Sequence, residues 1–218
     1  MAVRKSVSKT VITEPKFSEE PVEGSLNDTG RNIRIENRTF ENETCEKRLN
    51  MKEFYECVFK NVRFGSEAKN CLFADVIFDH CDLSNLKMDS TVFRRVRMTG
   101  CRMTGTELSR ASLQDTVISG CQCGYINLNG AKLKRVMFEN CIMEQAGMSM
   151  LEHTGTSFSK CDLSGAEFID TKLGGWDLSD SKLDGITVDP MNLRGLTVND
   201  EQAAAFAALL GIIVKHVY

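Results

Sequence analysis

Histidine and proline are scarce in this sequence: 218 residues hold three of each, with a single tryptophan. Histidine chemistry therefore has little to draw on. His80, His153 and His216 are far apart in the chain, and an isolated imidazole without an oriented partner is not a catalytic constellation. No apolar run of membrane length is present either. The longest, Ala203 to Val214, is shorter than the roughly 20 residues a spanning helix needs. No basic stretch leading into an apolar segment opens the chain, so no export signal is expected. The sequence reads as cytoplasmic, with no membrane partner. Gly-rich phosphate loops, nucleophile elbows and metal-ligand spacings are also missing. These absences argue against an enzyme, and no catalytic residue, cofactor or metal is expected. The net charge of −3 excludes no partner.

What is present is a period. From Phe73 to Val198 every fifth residue forms a column of 26 positions, 25 of them apolar, against a background of 42%. Two residues before each centre runs a second column of mostly small or β-branched residues, among them Val76, Thr91, Ala111 and Thr156. Asp, Ser, Gly, Lys, Arg and Asn fill the remaining places. A period of five matches neither a helix nor a plain strand. It suits a short extended piece that points its first and third residues inward, followed by a turn. Four such sides close a square coil of 20 residues, and Cys81, Cys101, Cys121, Cys141 and Cys161 repeat at that interval. The cysteines thus belong to the core pattern, the tempting Cys121-x-Cys123 included, and neither disulfides nor metal are expected. About eight coils are expected, making a rod of roughly 40 Å at ~4.8 Å per coil.

The same step continues upstream in other registers, through Phe54, Phe59 and Phe64 and through Ile35, Phe40 and Cys45. The register slips at 46–53 and at 65–72, and each slip predicts a small outward loop or bulge. Residues 1–31 carry no period and read as a mobile tail or a partial cap. Residues 32–199 form the repeat domain. Residues 200–218 form a capping and dimerisation module: Asn199 or Asp200 caps a helix whose Ala203, Phe206, Ala207 and Leu210 share one face, Gly211 ends it, and Ile212 to Tyr218 reads as a short strand. An apolar helix face at an open solenoid end is a natural dimer surface. Two inward positions break the pattern. His153 is expected in a bulge, turned outward, or hydrogen-bonded in place. Trp176 is expected to widen its coil.

The five-residue pattern over about 32–199 resembles the pentapeptide-repeat family, whose all-β fold is a right-handed quadrilateral parallel β-helix. The tail is similar to that of the Qnr-type quinolone-resistance proteins through Leu193-Arg194-Gly195-Leu196, Asn199, Gln202-Ala203, Leu210-Gly211-Ile212 and Val214. In those proteins the C-terminal helix pairs two rods into a dimer resembling B-DNA. The dimer binds DNA gyrase and topoisomerase IV and protects them from quinolones. The resemblance implies a homodimer through Ala203, Phe206, Ala207, Leu210 and Ile212. It also implies a bacterial type II topoisomerase as partner and no direct contact with nucleic acid. Outward acids near that end (Glu139, Glu167, Asp170, Asp177, Asp180 and Asp184) would stand in for phosphates. The family's first loop would correspond to Gly65–Asn70, and its second large loop has no counterpart here. The charge is uneven: residues 86–135 carry an excess of six positive charges and residues 136–200 an excess of seven negative ones. DNA presents about one negative charge per 1.7 Å of axis, so a basic middle imitates it poorly. The alternative is a scaffold or adaptor for another protein.

Overall fold

The computed structural model describes residues 11–215. The repeat folds into a four-sided parallel β-solenoid. Each centre, together with the residue two before it, points inward. The residue two after the centre adopts a left-handed conformation and turns the corner, as at Asp75 (φ 58°), Tyr125 (φ 57°) and Asp170 (φ 55°). That conformation costs a non-glycine residue roughly 1–2 kcal/mol. The stacked ladders on either side hold it. Four eight-residue strands, Leu72–Asp79, Val92–Thr99, Ser112–Ser119 and Lys132–Glu139, pair in register, Phe73 with Phe93 and Phe93 with Leu113. Each covers two faces. The first face carries Phe73 and its stacked equivalents, and the second carries Phe78 and its own. The third and fourth follow from Leu83 and Met88.

The core is a stack of like upon like. Phe54 lies on Phe73 at 5.1 Å between ring centroids, and Phe73 lies on Phe93 at 5.4 Å. A second pile joins Phe40, Phe59 and Phe78 at 5.1 and 4.9 Å. All nine cysteines are free and buried. In their column a side chain can donate to the carbonyl of a centre residue in the coil before: Thr106 Oγ1 to Leu83 O at 2.8 Å, and Cys141 Sγ to Ile118 O at 3.3 Å. Thr and Cys alternate there because both are small and both can donate. Burial pushes the Cys71 thiol up to about 11, which makes it unreactive.

The two register slips are not loops. Cys45 to Leu49 and Phe64 to Ala68 are steps of four residues, and all four side chains are buried. The early coils are therefore 19 residues long, with Ile35 paired to Phe54 and Phe54 to Phe73. The deletion falls at the same corner in successive coils, so the ladder continues unbroken: Leu49 N donates to Glu67 O at 2.8 Å, and Ala68 N to Lys87 O at 2.8 Å. A bulge would leave such amides unpaired, at a cost. The shortened corner needs Gly65, since a Cβ there would lie 2.7 Å from Cys45 O. Gly65–Asn70 thus belongs to the coil.

Before the first coil, Val22–Glu23 pairs with Arg38–Thr39, and Leu26 is fully buried over the core end. Glu43 fixes this cap by accepting from Leu26 N and Ser25 Oγ, both at 2.8 Å. Residues 13–18 run along the side of the rod. The remainder of the expected tail, residues 1–10, lies outside the described residues.

At the other end Trp176 is buried, packed 4.8 Å from Phe158 and 4.5 Å from His153 between ring centroids. The indole fills space that small residues leave open in other coils, and His153 is displaced to half-burial. The strand Glu152–Thr154 pairs backward with Lys132–Lys134, and no described strand pairs with it on the other side. The imidazole substitutes: His153 Nε2 meets Lys172 O at 2.6 Å, which makes that nitrogen the donor. His153 is hydrogen-bonded in place, one of the expected outcomes.

Candidate interaction site

The C-terminal helix, Asp200–Leu209, begins with a reciprocal capping box. Asn199 Oδ1 accepts from Gln202 N, and Gln202 Oε1 accepts from Asn199 N, both at 2.9 Å. Gln202 also docks the helix, its Nε2 donating to Leu178 O at 3.0 Å and to Ser181 O at 2.7 Å. Phe206, Leu193 and Leu196 pack against the core end. Gly195 takes φ 85°, a conformation that a side chain would strain. Gly211 takes φ 74° and ends the helix.

The expected dimer face is therefore divided. Phe206 and Ala207 are half-buried, Phe206 against its own rod, while Ala203, Leu210 and Ile212 are exposed. Leu209 and Val214 are exposed too, and Ile213 is 86% exposed. Ile212–Lys215 forms no strand, contrary to the sequence pattern, because these residues find no neighbouring ladder within the chain. Residues 216–218, His216 among them, lie outside the described residues.

The six acids do not share one surface. Asp180 and Asp184 line an open groove between the last coils and the helix, with Phe206 and Leu209 on its other wall. Asp177 and Glu139 lie on the same face as Asp180, whereas Glu167 and Asp170 lie on the fourth face and its corner. All six are exposed. Asp177 is oriented by Ser179, whose N and Oγ donate to Oδ1 at 3.1 and 2.6 Å, and Asp180 by Ser159 Oγ at 2.9 Å. The structure thus brings Asp180 and Asp184 beside the helix, keeps Asp177 and Glu139 on the face of Asp180, and sets Glu167 and Asp170 apart from them. Among the described residues no cluster of three or more His, Cys, Asp and Glu is placed to hold a metal. No helix there is long and apolar enough to cross a membrane.

Sequence reasoning missed a second surface. The corner between the first and second faces stacks Glu56, Asp75, Arg95, Asp115 and Arg135. Arg95 Nε reaches Asp75 and Arg135 Nε reaches Asp115, each at 2.6 Å. The segment 13–18 lies across this ladder. Ser18 N donates to Glu56, Lys16 N to Asp75 at 3.0 Å and Thr13 N to Asp115 at 3.3 Å, while Glu14 pairs with Arg97. The segment buries Asp115 to 4% exposure. The Arg135 guanidinium holds the Asp115 carboxyl down at about 2. The signal was present: Asp75, Arg95, Asp115 and Arg135 alternate in sign every 20 residues.

Residues 71–148 match the family description "Pentapeptide repeat region", and residues 154–185 match "Pentapeptide repeats (8 copies)". With the coil geometry this is decisive: the chain belongs to the pentapeptide-repeat family. No curated protein matches it. Among solved structures, it is similar to a trypsin-treated form of QnrB1, a plasmid-mediated fluoroquinolone resistance protein, at 25% identity. That match covers 84% of this chain and 90% of that one, with a TM-score of 0.41. It is also similar to HetL, a pentapeptide-repeat protein involved in heterocyst differentiation regulation from the cyanobacterium Nostoc sp. strain PCC 7120. There the identity is 16%, over 84% and 93% of the two chains, with a TM-score of 0.41.

Proposed function

We propose that this protein is a non-enzymatic binding rod that works as a twofold dimer on a bacterial type II topoisomerase, its acidic end occupying part of the enzyme's DNA-binding surface and so protecting it from quinolones. The observation that carries this reading is the junction of the last coils with the helix. Of the tail residues shared with the Qnr type, Asn199 and Gln202 cap and dock the helix here, and Leu193, Gly195 and Leu196 close the last coil before it. Docked in that way, the helix leaves Leu210 at 61% and Ile212 at 54% exposure, at the end of the rod where Asp180 and Asp184 line the groove against the helix. Apolar side chains in that setting gain by meeting a second copy. Pairing would then set two acidic rod ends side by side.

The test is a gyrase supercoiling assay with and without a quinolone, titrated with the full chain. Micromolar protein is expected to inhibit supercoiling or rescue it from the drug, with an effect that weakens as salt rises. Asp177→Lys with Asp180→Lys and Asp184→Lys is expected to abolish it while the fold persists. No effect from a confirmed dimer would remove the topoisomerase reading.

The second reading is an adaptor for another protein. It is supported by apolar side chains exposed in mid-rod, Tyr125 at 67%, Ile142 at 47% and Met150 at 59%, which a phosphate-like surface does not need. It leaves gyrase unaffected in the same assay.

A further inference from the structure

Counted along the chain, charge divides into a basic middle and an acidic end; wound into coils, it also divides by face. From Val92 onward the first face presents Arg94, Lys132, Lys134, Lys172 and Arg194, all exposed. Its only exposed acid is Glu152, which pairs with Lys132 at 3.2 Å. Asp115 on the same side is buried and already satisfied by Arg135. Arg94, Lys134, Lys172 and Arg194 have no acidic partner among the described residues. The exposed acids near the C-terminal end sit on the other three faces. The five cations spread over five coil steps, about 24 Å at ~4.8 Å each. Between Val92 and Lys172 no large apolar side chain is exposed on this face; Met191, 88% exposed, stands at its C-terminal end. Gly174 and Gly175 leave it flat toward its end.

We infer that this face binds the phosphate backbone of duplex nucleic acid, without reading sequence. A flat row of cations whose single exposed apolar side chain, Met191, lies at one end suits a polyanion better than a folded protein, whose interfaces draw their energy from a central cluster of buried aromatic and aliphatic side chains. The coil rise of ~4.8 Å and the ~3.4 Å phosphate rise of one strand are not commensurate, so flexible lysine and arginine side chains can follow the backbone in no fixed register. Acids on adjacent faces limit the affinity, though salt screens them beyond about 10 Å at 0.1 M. The expectation of no direct nucleic-acid contact came from the family resemblance, and the inference departs from it on the charges that the fold gathers on one face. The inference stands apart from the topoisomerase reading, and its test contains no topoisomerase.

The test is fluorescence anisotropy of a labelled duplex of about 30 base pairs, titrated with the full-length protein across a salt series. The expected dissociation constant is about 10–100 µM near 0.05 M salt, weakening with a log–log slope of about four, one per unpartnered cation. Arg94→Glu with Lys134→Glu is expected to weaken binding at least about tenfold. Lys60→Glu with Lys160→Glu, the same charge change on the second face, is expected to weaken it less than about threefold. Should the first variant fold poorly by circular dichroism, Arg94→Gln with Lys134→Gln replaces it. Three results would overturn the inference. One is no binding at low salt. Another is equal loss in both variants. The third is binding of labelled polyglutamate where the duplex does not bind, which would assign the face to an acidic protein.

Discussion

The coils around Phe73 and the coils around Trp176 are built on the same repeat, yet their ladders differ. Around Phe73 every face pairs to the next coil, phenylalanines stack within 5.4 Å, and residues 13–18 are laid across a charged corner. Around Trp176 the first-face strand pairs on one side, and an imidazole stands in for a ladder bond. The equivalent corner carries Gly155, Gly175 and Gly195 instead of alternating charges. The difference shows what the repeat demands. A centre position tolerates any apolar side chain; the column two residues earlier is mostly small or β-branched and admits a side chain as large as Leu86, but the one indole there meets a displaced centre in the neighbouring coil.

The largest test strikes the stacked end. Phe73→Ala should cost about 3–5 kcal/mol in denaturant unfolding, since the ring is fully buried between two others. A cost below about 1 kcal/mol would deny that the pile carries the core. At the disrupted end, His153→Leu and Trp176→Thr should each destabilise, the first by steric conflict with the indole and the second by a cavity. Together they restore the repeat and should recover about 1–2 kcal/mol relative to their sum. Additive effects would show that the two residues do not compensate each other. The Trp176 Nε1 is buried without a hydrogen-bond partner, which favours recovery.

The strapped corner gives a smaller, pH-dependent effect. The Asp115 carboxyl titrates at about 2 in the fold, below the ordinary carboxylate value near 3.9. Its contribution is therefore present above pH ~4 and lost as the pH falls toward 2, on the order of 1–2 kcal/mol. Asp115→Asn should lower stability by that amount at pH 7 and flatten the acid limb of the stability profile between pH ~4 and ~2. An unchanged limb would place the acid sensitivity elsewhere. Smallest in stability is Leu210→Glu, on a side chain 61% exposed, which should shift unfolding by less than about 0.5 kcal/mol. In sedimentation the same variant should turn dimer to monomer. A wild-type chain that is monomeric at micromolar concentration would remove the dimer.

The column of centres from Phe73 to Val198 was legible because each inward position is chosen independently, by the same transfer of apolar surface from water. The cap at Asn199 was legible for a local reason, since a helix start is set within four residues. Gly65 was misread. A missing residue and an extra loop both break a period, and only the coil stacked beneath it decides between them.

Linear order was sufficient for the period of five, the closure at 20, the inward columns, the chemically inert setting of the cysteines, and the helix that follows the last coil. These are consequences of spacing, and spacing is written in the chain. The tertiary structure alone decided that the early coils close at 19, that residues 13–18 lie along an Asp–Arg ladder, that Phe206 turns toward its own rod, and that cations gather on one face. Each of these depends on residues about one coil or more apart meeting across a coil step of ~4.8 Å, a proximity that winding creates and linear order does not contain.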